Sequence, residues 1–211
     1  MKHCLLVLSI LATLLLRREM TGSFMALNCQ MHVYSLIDIA SNLSYMFPFL
    51  LLTMICIDDI RCLNENKSMI LVRMPSKQGY RKREGEIMLR ECMVYTSIYN
   101  MVLLVATRDS FSLDVMEIMM RNTLIVITFT EIFGITMLVA GNEIALVLAV
   151  ASMAVTSFTG MSMIYKTGKQ PLWNIICYNV TTGSQYHGNW CVIVTYVVIV
   201  ILMEYGRRRM R

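Results

Sequence analysis

Apolar residues in this chain run in long blocks, without the strict alternation of a half-buried strand or the narrow stripe of a soluble amphipathic helix. The blocks fall at about 3–16, 36–57, 87–106, 122–140, 144–165 and 190–205, with polar and charged residues collected between them. A helix crossing the hydrocarbon core of a bilayer needs about 20 mainly apolar residues, so the pattern predicts six transmembrane helices. The first block, HCLLVLSILATLLL, is short for a span and stands behind Lys2 like the apolar core of a signal peptide. Arg17, Arg18 and Glu19 follow it where a cleavage site would have small residues, which predicts a retained helix. Whether it spans fully stays open. Pro48 lies inside the second block and predicts a kink, because proline removes a helix hydrogen bond and crowds the preceding turn.

Composition sharpens this picture. Of 211 residues, 56% are apolar and 16% are charged, against about 25% charged in soluble domains. Six spans and their loops use up the length, so the expectation is an all-α polytopic membrane protein forming a single domain over residues 1–211. With both termini on the inner side, thirteen lysines and arginines fall inside and six outside. The bias of basic residues toward the cytoplasm therefore predicts a multi-pass protein of the cell membrane with cytoplasmic N- and C-termini.

The inner residues concentrate in a predicted loop at 58–91, whose centre reads ILVRMPSKQGYRKRE. Charge alone is explained by topology and anionic lipid. The loop's length and its interspersed carboxylates are not. Pro75 and Ser76 can start a helix, and SKQGYRKREGEIMLRECMVY can form a basic interfacial helix running into the third span. Gly79 and Gly85 weaken that helix on propensity grounds.

An aliphatic pair, an arginine, a serine followed by a basic residue, an aromatic and further basic residues precede a span rich in Tyr and Leu. In this chain these are Ile70, Leu71, Arg73, Ser76, Lys77, Tyr80, Arg81 and Lys82, then MVYTSIYNMVLLVA. The order resembles the first cytoplasmic loop of small ABC-2 type permeases of Gram-positive bacteria, and the last span with its basic tail, VIVTYVVIVILMEYGRRRMR, is similar to theirs. The architecture is matched along the whole chain and the pattern over about 30 residues; the tail lacks the acidic residue that often follows the basic ones in that family. The resemblance implies the permease subunit of an ATP-driven exporter of peptides or small amphipathic antimicrobial compounds, in bacteriocin export or immunity. A separate ATP-binding subunit would dock at Arg73, Ser76, Lys77, Tyr80, Arg81 and Lys82, and a second permease chain would complete a homo- or heterodimer. ATP and Mg would be bound by the ATPase, none by this chain, and no nucleic acid is expected as a partner. The alternative is the six-span substrate-binding subunit of a vitamin or metal importer.

The residues contain no phosphate-binding G-x-x-x-x-G-K-[ST]: Gly168-Lys169 is followed by Gln170, and Met163 stands where the first glycine belongs. The chain is accordingly expected not to be an enzyme itself. Seven cysteines show neither C-x-x-C nor a zinc-type Cys/His spacing, so no metal site is expected, although Cys177 and Cys191 flank the last outer loop and could pair. Carboxylates inside a span are costly and face protein or water. Glu131 is the deepest; it is either a protonated or paired structural glutamate or a residue of the substrate path or gate. Asp38 lies nearer a span end. Ala145, Ala149, Ser152, Thr156 and Gly160 form a small-residue seam that lets another helix approach closely. Two external helices are also predicted, one after Pro171 with Trp173, Tyr178, Tyr186 and Trp190 as interfacial anchors, the other capped by Ser110 and ahead of the fourth span.

Overall fold

The structure, a computed structural model, describes residues 2–16, 24, 36–66, 77–167, 175 and 190–209. Among them there is no strand, and six helices follow in order: α1 (Lys2–Leu16), α2 (Leu36–Glu65), α3 (Lys77–Thr107), α4 (Leu113–Ala140), α5 (Asn142–Thr167) and α6 (Trp190–Arg209). Each coincides with one apolar block. α4, α5 and α6 contain stretches long and apolar enough to cross a membrane, whereas α1 has only 15 residues.

Helix ends depart from the hydropathy blocks. α2 continues eight residues past Ile57 and α3 begins ten before Ile87, so most of the expected loop 58–91 is helical at its two ends. Hydropathy marks what suits hydrocarbon; backbone hydrogen bonding continues until a cap or breaker stops it. α4 likewise begins at Leu113, capped by Ser112, whose hydroxyl accepts from Val115 N at 3.3 Å, with Asp114 favourable in the first turn. The expected separate helix capped by Ser110 is therefore the start of α4 itself. Arg121, expected in an outer loop, is buried within that helix. At the other end Gly141 takes φ +85°, donates its N–H to Met137 O and turns the chain directly into α5. Pro48 lies buried inside α2, which runs unbroken through it.

α4 is the axial helix. It packs on α2, α3, α5 and α6, and 61% of its apolar window is buried against 22% for those of α5 and α6. Phe49, Leu52 and Ile55 of α2, Tyr99 and Leu103 of α3, and Ile125, Phe129 and Phe133 of α4 fill the centre. The opposite faces expose large apolar side chains, including Val105, Val139, Val147, Ile201 and Leu202. Such a continuous apolar exterior is foreign to a water-soluble monomer and suits a lipid surround.

Cross-helix contacts fix the directions. Thr13 meets Tyr99 late in α1 and α3 (Oγ1 to OH, 2.8 Å), while Lys2 lies 3.9 Å from Glu91. Tyr80 OH donates to Leu63 O at 3.0 Å, joining the start of α3 to the end of α2. Arg207 meets Glu84 at the same end of α3. The helices thus alternate in direction, and Lys2 and Arg207 lie toward one end of the bundle.

Candidate functional site

The most concentrated charge in the interior lies at that end, around Arg207. This guanidinium is 1% exposed. Its Nη1 is 3.0 Å from Glu84 Oε2 of α3, its Nε is 3.2 Å from Glu131 Oε2 of α4, and its Nε and Nη2 donate to Glu204 Oε2 one turn earlier on α6, the former at 2.9 Å. Three helices distant in sequence therefore meet on one side chain. A buried charge is tolerated only when paired, and arginine's rigid fork can serve several carboxylates at once.

Gly85 makes the approach sterically feasible. A Cβ at this position would collide with Arg207 Nη2 and Glu204 Oε1, whereas Gly134 on α4 leaves ordinary contact with Arg207 Cδ at 3.7 Å. The glycine that weakens the helix by propensity is the one that admits the α6 tail against α3. Arg81 adds a second tie, its Nη1 donating to Arg207 O at 2.7 Å.

The expected coupling residues divide between two faces of α3. Tyr80 is buried, and desolvation, reinforced by the nearby Glu84 charge, pushes its phenol up to about 12. Tyr80 and Arg81 point into intrachain contacts. Lys82 is exposed, 3.9 Å from Glu86, and with Gly79, Arg83 and Arg90 lines an open basic groove of about 450 Å³. Lys77 opens the helix; its side chain, and Arg73 and Ser76 altogether, lie outside the described residues.

Glu131 is 1% exposed and lies in ion contact with Arg207, its Oε2 3.2 Å from the guanidinium Nε. It also lines a cavity of about 370 Å³ between α3, α4 and α6, with Met88, Leu89, Ile127, Val200 and Glu204 among its walls. In the seam, Ala145 and Ala149 are buried within the chain, and the half-buried Ser152 and Thr156 return their hydroxyls to the carbonyls of Ala149 and Ser152. Gly160 belongs to α5 without a described environment. Cys191 is a free thiol. Cys177, Trp173, Tyr178, Tyr186, the helix expected after Pro171 and the side chain of Asp38 lie outside the described residues.

A second polar layer occupies the opposite half of the bundle. Asn122 Nδ2 donates to Asn100 Oδ1 at 2.8 Å, and Asn100 Nδ2 to Met119 O at 3.3 Å. Glu117 and Arg121 are buried one turn apart on the same stretch of α4. Sequence reading missed Arg207, Glu84 and Glu204 as a group. A carboxylate at Glu204 three residues before the arginine, inside an otherwise apolar last span, was the available signal.

No family model, curated protein or solved structure matches the chain. The fold and its exterior define an all-helical protein of membrane type.

Proposed function

We propose that the chain is a six-span permease subunit whose movements are driven by a separate ATP-binding subunit docked at the basic start of α3, with both termini in the cytoplasm. The observation that carries this reading is the two-faced first part of α3. One face offers Lys82, Arg83 and Arg90 in an exposed groove, while the other holds Glu84 and Gly85 against Arg207. Because α3 is a single helix from Lys77 to Thr107, a push on the groove would act on the α6 tail and α4 together. Tyr80 and Arg81 would act as internal ties to α2 and α6, leaving the contact with the ATPase to the exposed lysine and arginines. A peptide or small amphipathic compound is the proposed cargo class. The cavity beside Glu131 has exposed residues, Leu89 and Ile201, among its walls, which favours lateral passage over enclosure by a capture subunit.

Purification of the tagged chain from its native membranes tests this. ATP hydrolysis should co-purify with the wild type and be lost with Lys82→Glu/Arg83→Glu, while the amount of inserted chain stays constant. Absence of ATPase activity in the wild-type complex, or activity indifferent to the charge reversal, would refute the reading.

A further inference from the structure

Basic and apolar positions share one stripe on the outside of α3. Arg83, Ile87, Arg90, Val94, Ile98 and Met101 follow one another at steps of three or four residues, which places them on one helix face. Ile87 is half-buried and the others are exposed. The basic members line the open groove of about 450 Å³ at the start of the helix. Beyond Arg90 the stripe is apolar as far as Val105.

The polarity of that second half is inverted. Tyr95, Thr96, Tyr99 and Asn100 are buried against the bundle, while Val94, Ile98, Met101 and Val105 are exposed, with Ser97 the polar exception. A helix facing water has the opposite arrangement, so hydrocarbon is what this face fits. The groove adds charge at one end. Lys82 lies 3.9 Å from Glu86, and Arg90 lies 3.2 Å from Glu91, which also meets Lys2 at 3.9 Å. Arg90 remains 68% exposed despite its pair, and Arg83 makes no ion pair among the described residues. Guanidinium groups bind phosphate oxygens two at a time.

Length agrees with a lipid. From Arg90 to Met101 is about 16 Å along the helix, close to one leaflet of a hydrocarbon core about 30 Å thick. A second copy of the chain fits less well, because copies inserted in the same direction and meeting on this stripe would set groove against groove and arginine against arginine.

We propose that the stripe is a binding site for an anionic phospholipid, its phosphate between Arg83 and Arg90 and an acyl chain along Val94, Ile98 and Met101. The site goes beyond the ATPase docking reading and does not depend on it.

Native mass spectrometry of the purified full chain in dodecyl maltoside, without any ATPase, tests the site. The probes are equal amounts of dioleoylphosphatidylglycerol and dioleoylphosphatidylcholine. The wild type should retain the anionic lipid at least about tenfold over the zwitterionic one, since each basic side chain at the headgroup adds to the attraction. Arg83→Gln/Arg90→Gln should bring the ratio near one while helicity and elution volume remain those of the wild type. Arg61→Gln, which removes an exposed cation at the same end of the bundle, should leave the ratio unchanged, and millimolar inorganic phosphate should not displace the lipid. Equal retention of the two lipids by the wild type, an unchanged ratio in the double variant, or an equal fall in Arg61→Gln would overturn the proposal. Displacement by phosphate would leave an anion site in place of a lipid site, and a dimer that Met101→Glu dissociates would give the stripe to a second copy; either result overturns it. A chain that shows no lipid preference yet brings an ATPase from its membranes keeps the docking reading alone, and one that retains the lipid but brings no ATPase keeps the lipid site alone.

Discussion

Two buried polar layers divide this bundle, one gathered on a single guanidinium and the other containing a neutral amide pair. Near the end holding Lys2 and Arg207, a guanidinium draws carboxylates from three helices and sits beside a cavity. In the opposite half, neutral pairs join helices, Asn100–Asn122 linking α3 to α4 and Thr13–Tyr99 linking α1 to α3, with the buried Glu117 and Arg121 beside them on α4. A neutral amide pair fixes register at modest cost, since either partner can be lost without stranding a charge. An ionic layer behaves otherwise, because losing its arginine strands several carboxylates in the interior. The difference teaches where the molecule is most vulnerable and where it is prepared to respond to charge.

The largest effect should follow Arg207→Gln. Removing one partner of a buried ion pair costs about 3–5 kcal/mol, which should appear as a sharply lowered unfolding midpoint in detergent or as degradation in the membrane. Gly85→Ala should come next. Crowding at a packed site costs about 1–3 kcal/mol, partly offset by the gain of up to about 1 kcal/mol from replacing glycine in a helix. The net loss should shrink without vanishing in the Arg207→Gln background, because Glu204 Oε1 still faces the added Cβ. Asn122→Ala should be milder, about 1 kcal/mol, and its coupling to Asn100→Ala in a double-mutant cycle should be near 0.6 kcal/mol, the order seen for hydrogen bonds between membrane helices.

The smallest effect is a pH dependence at the tie between α2 and α3. The Tyr80 phenol is raised to about 12 in the fold, whereas in the unfolded chain it would ionise near 10. A raised value contributes stability that is fully present below about pH 10 and is lost as pH rises toward 12. Wild-type stability should therefore fall across that window more steeply than that of Tyr80→Phe. The ultraviolet difference titration of the two proteins should show one phenol ionising late.

The positions of the six described helices were legible as apolar blocks, and three of them, α4, α5 and α6, are long and apolar enough to cross a membrane. The helix ends were not legible. Residues 58–65 and 77–86 are polar yet helical, and Arg121 and Glu117 are charged yet buried in α4. Glu131 was legible as a buried carboxylate that needs a partner. The partner was hidden in the run of basic residues at 207–209, which reads as a solvated tail until the close packing at Gly85 brings Arg207 inside. Gly85 itself was read through helix propensity, a local property, whereas its role depends on side chains more than a hundred residues away.

The central claim is that Arg207 unites the start of α3, the axial helix α4 and the end of α6 as one ion-paired unit. A double-mutant cycle between Glu131→Gln and Arg207→Gln, followed by unfolding in detergent, tests it most directly. The account predicts that the double mutant loses clearly less stability than the two single losses added together, with a coupling of at least about 1 kcal/mol. Additive losses, with each substitution acting as though the other residue were absent, would contradict it.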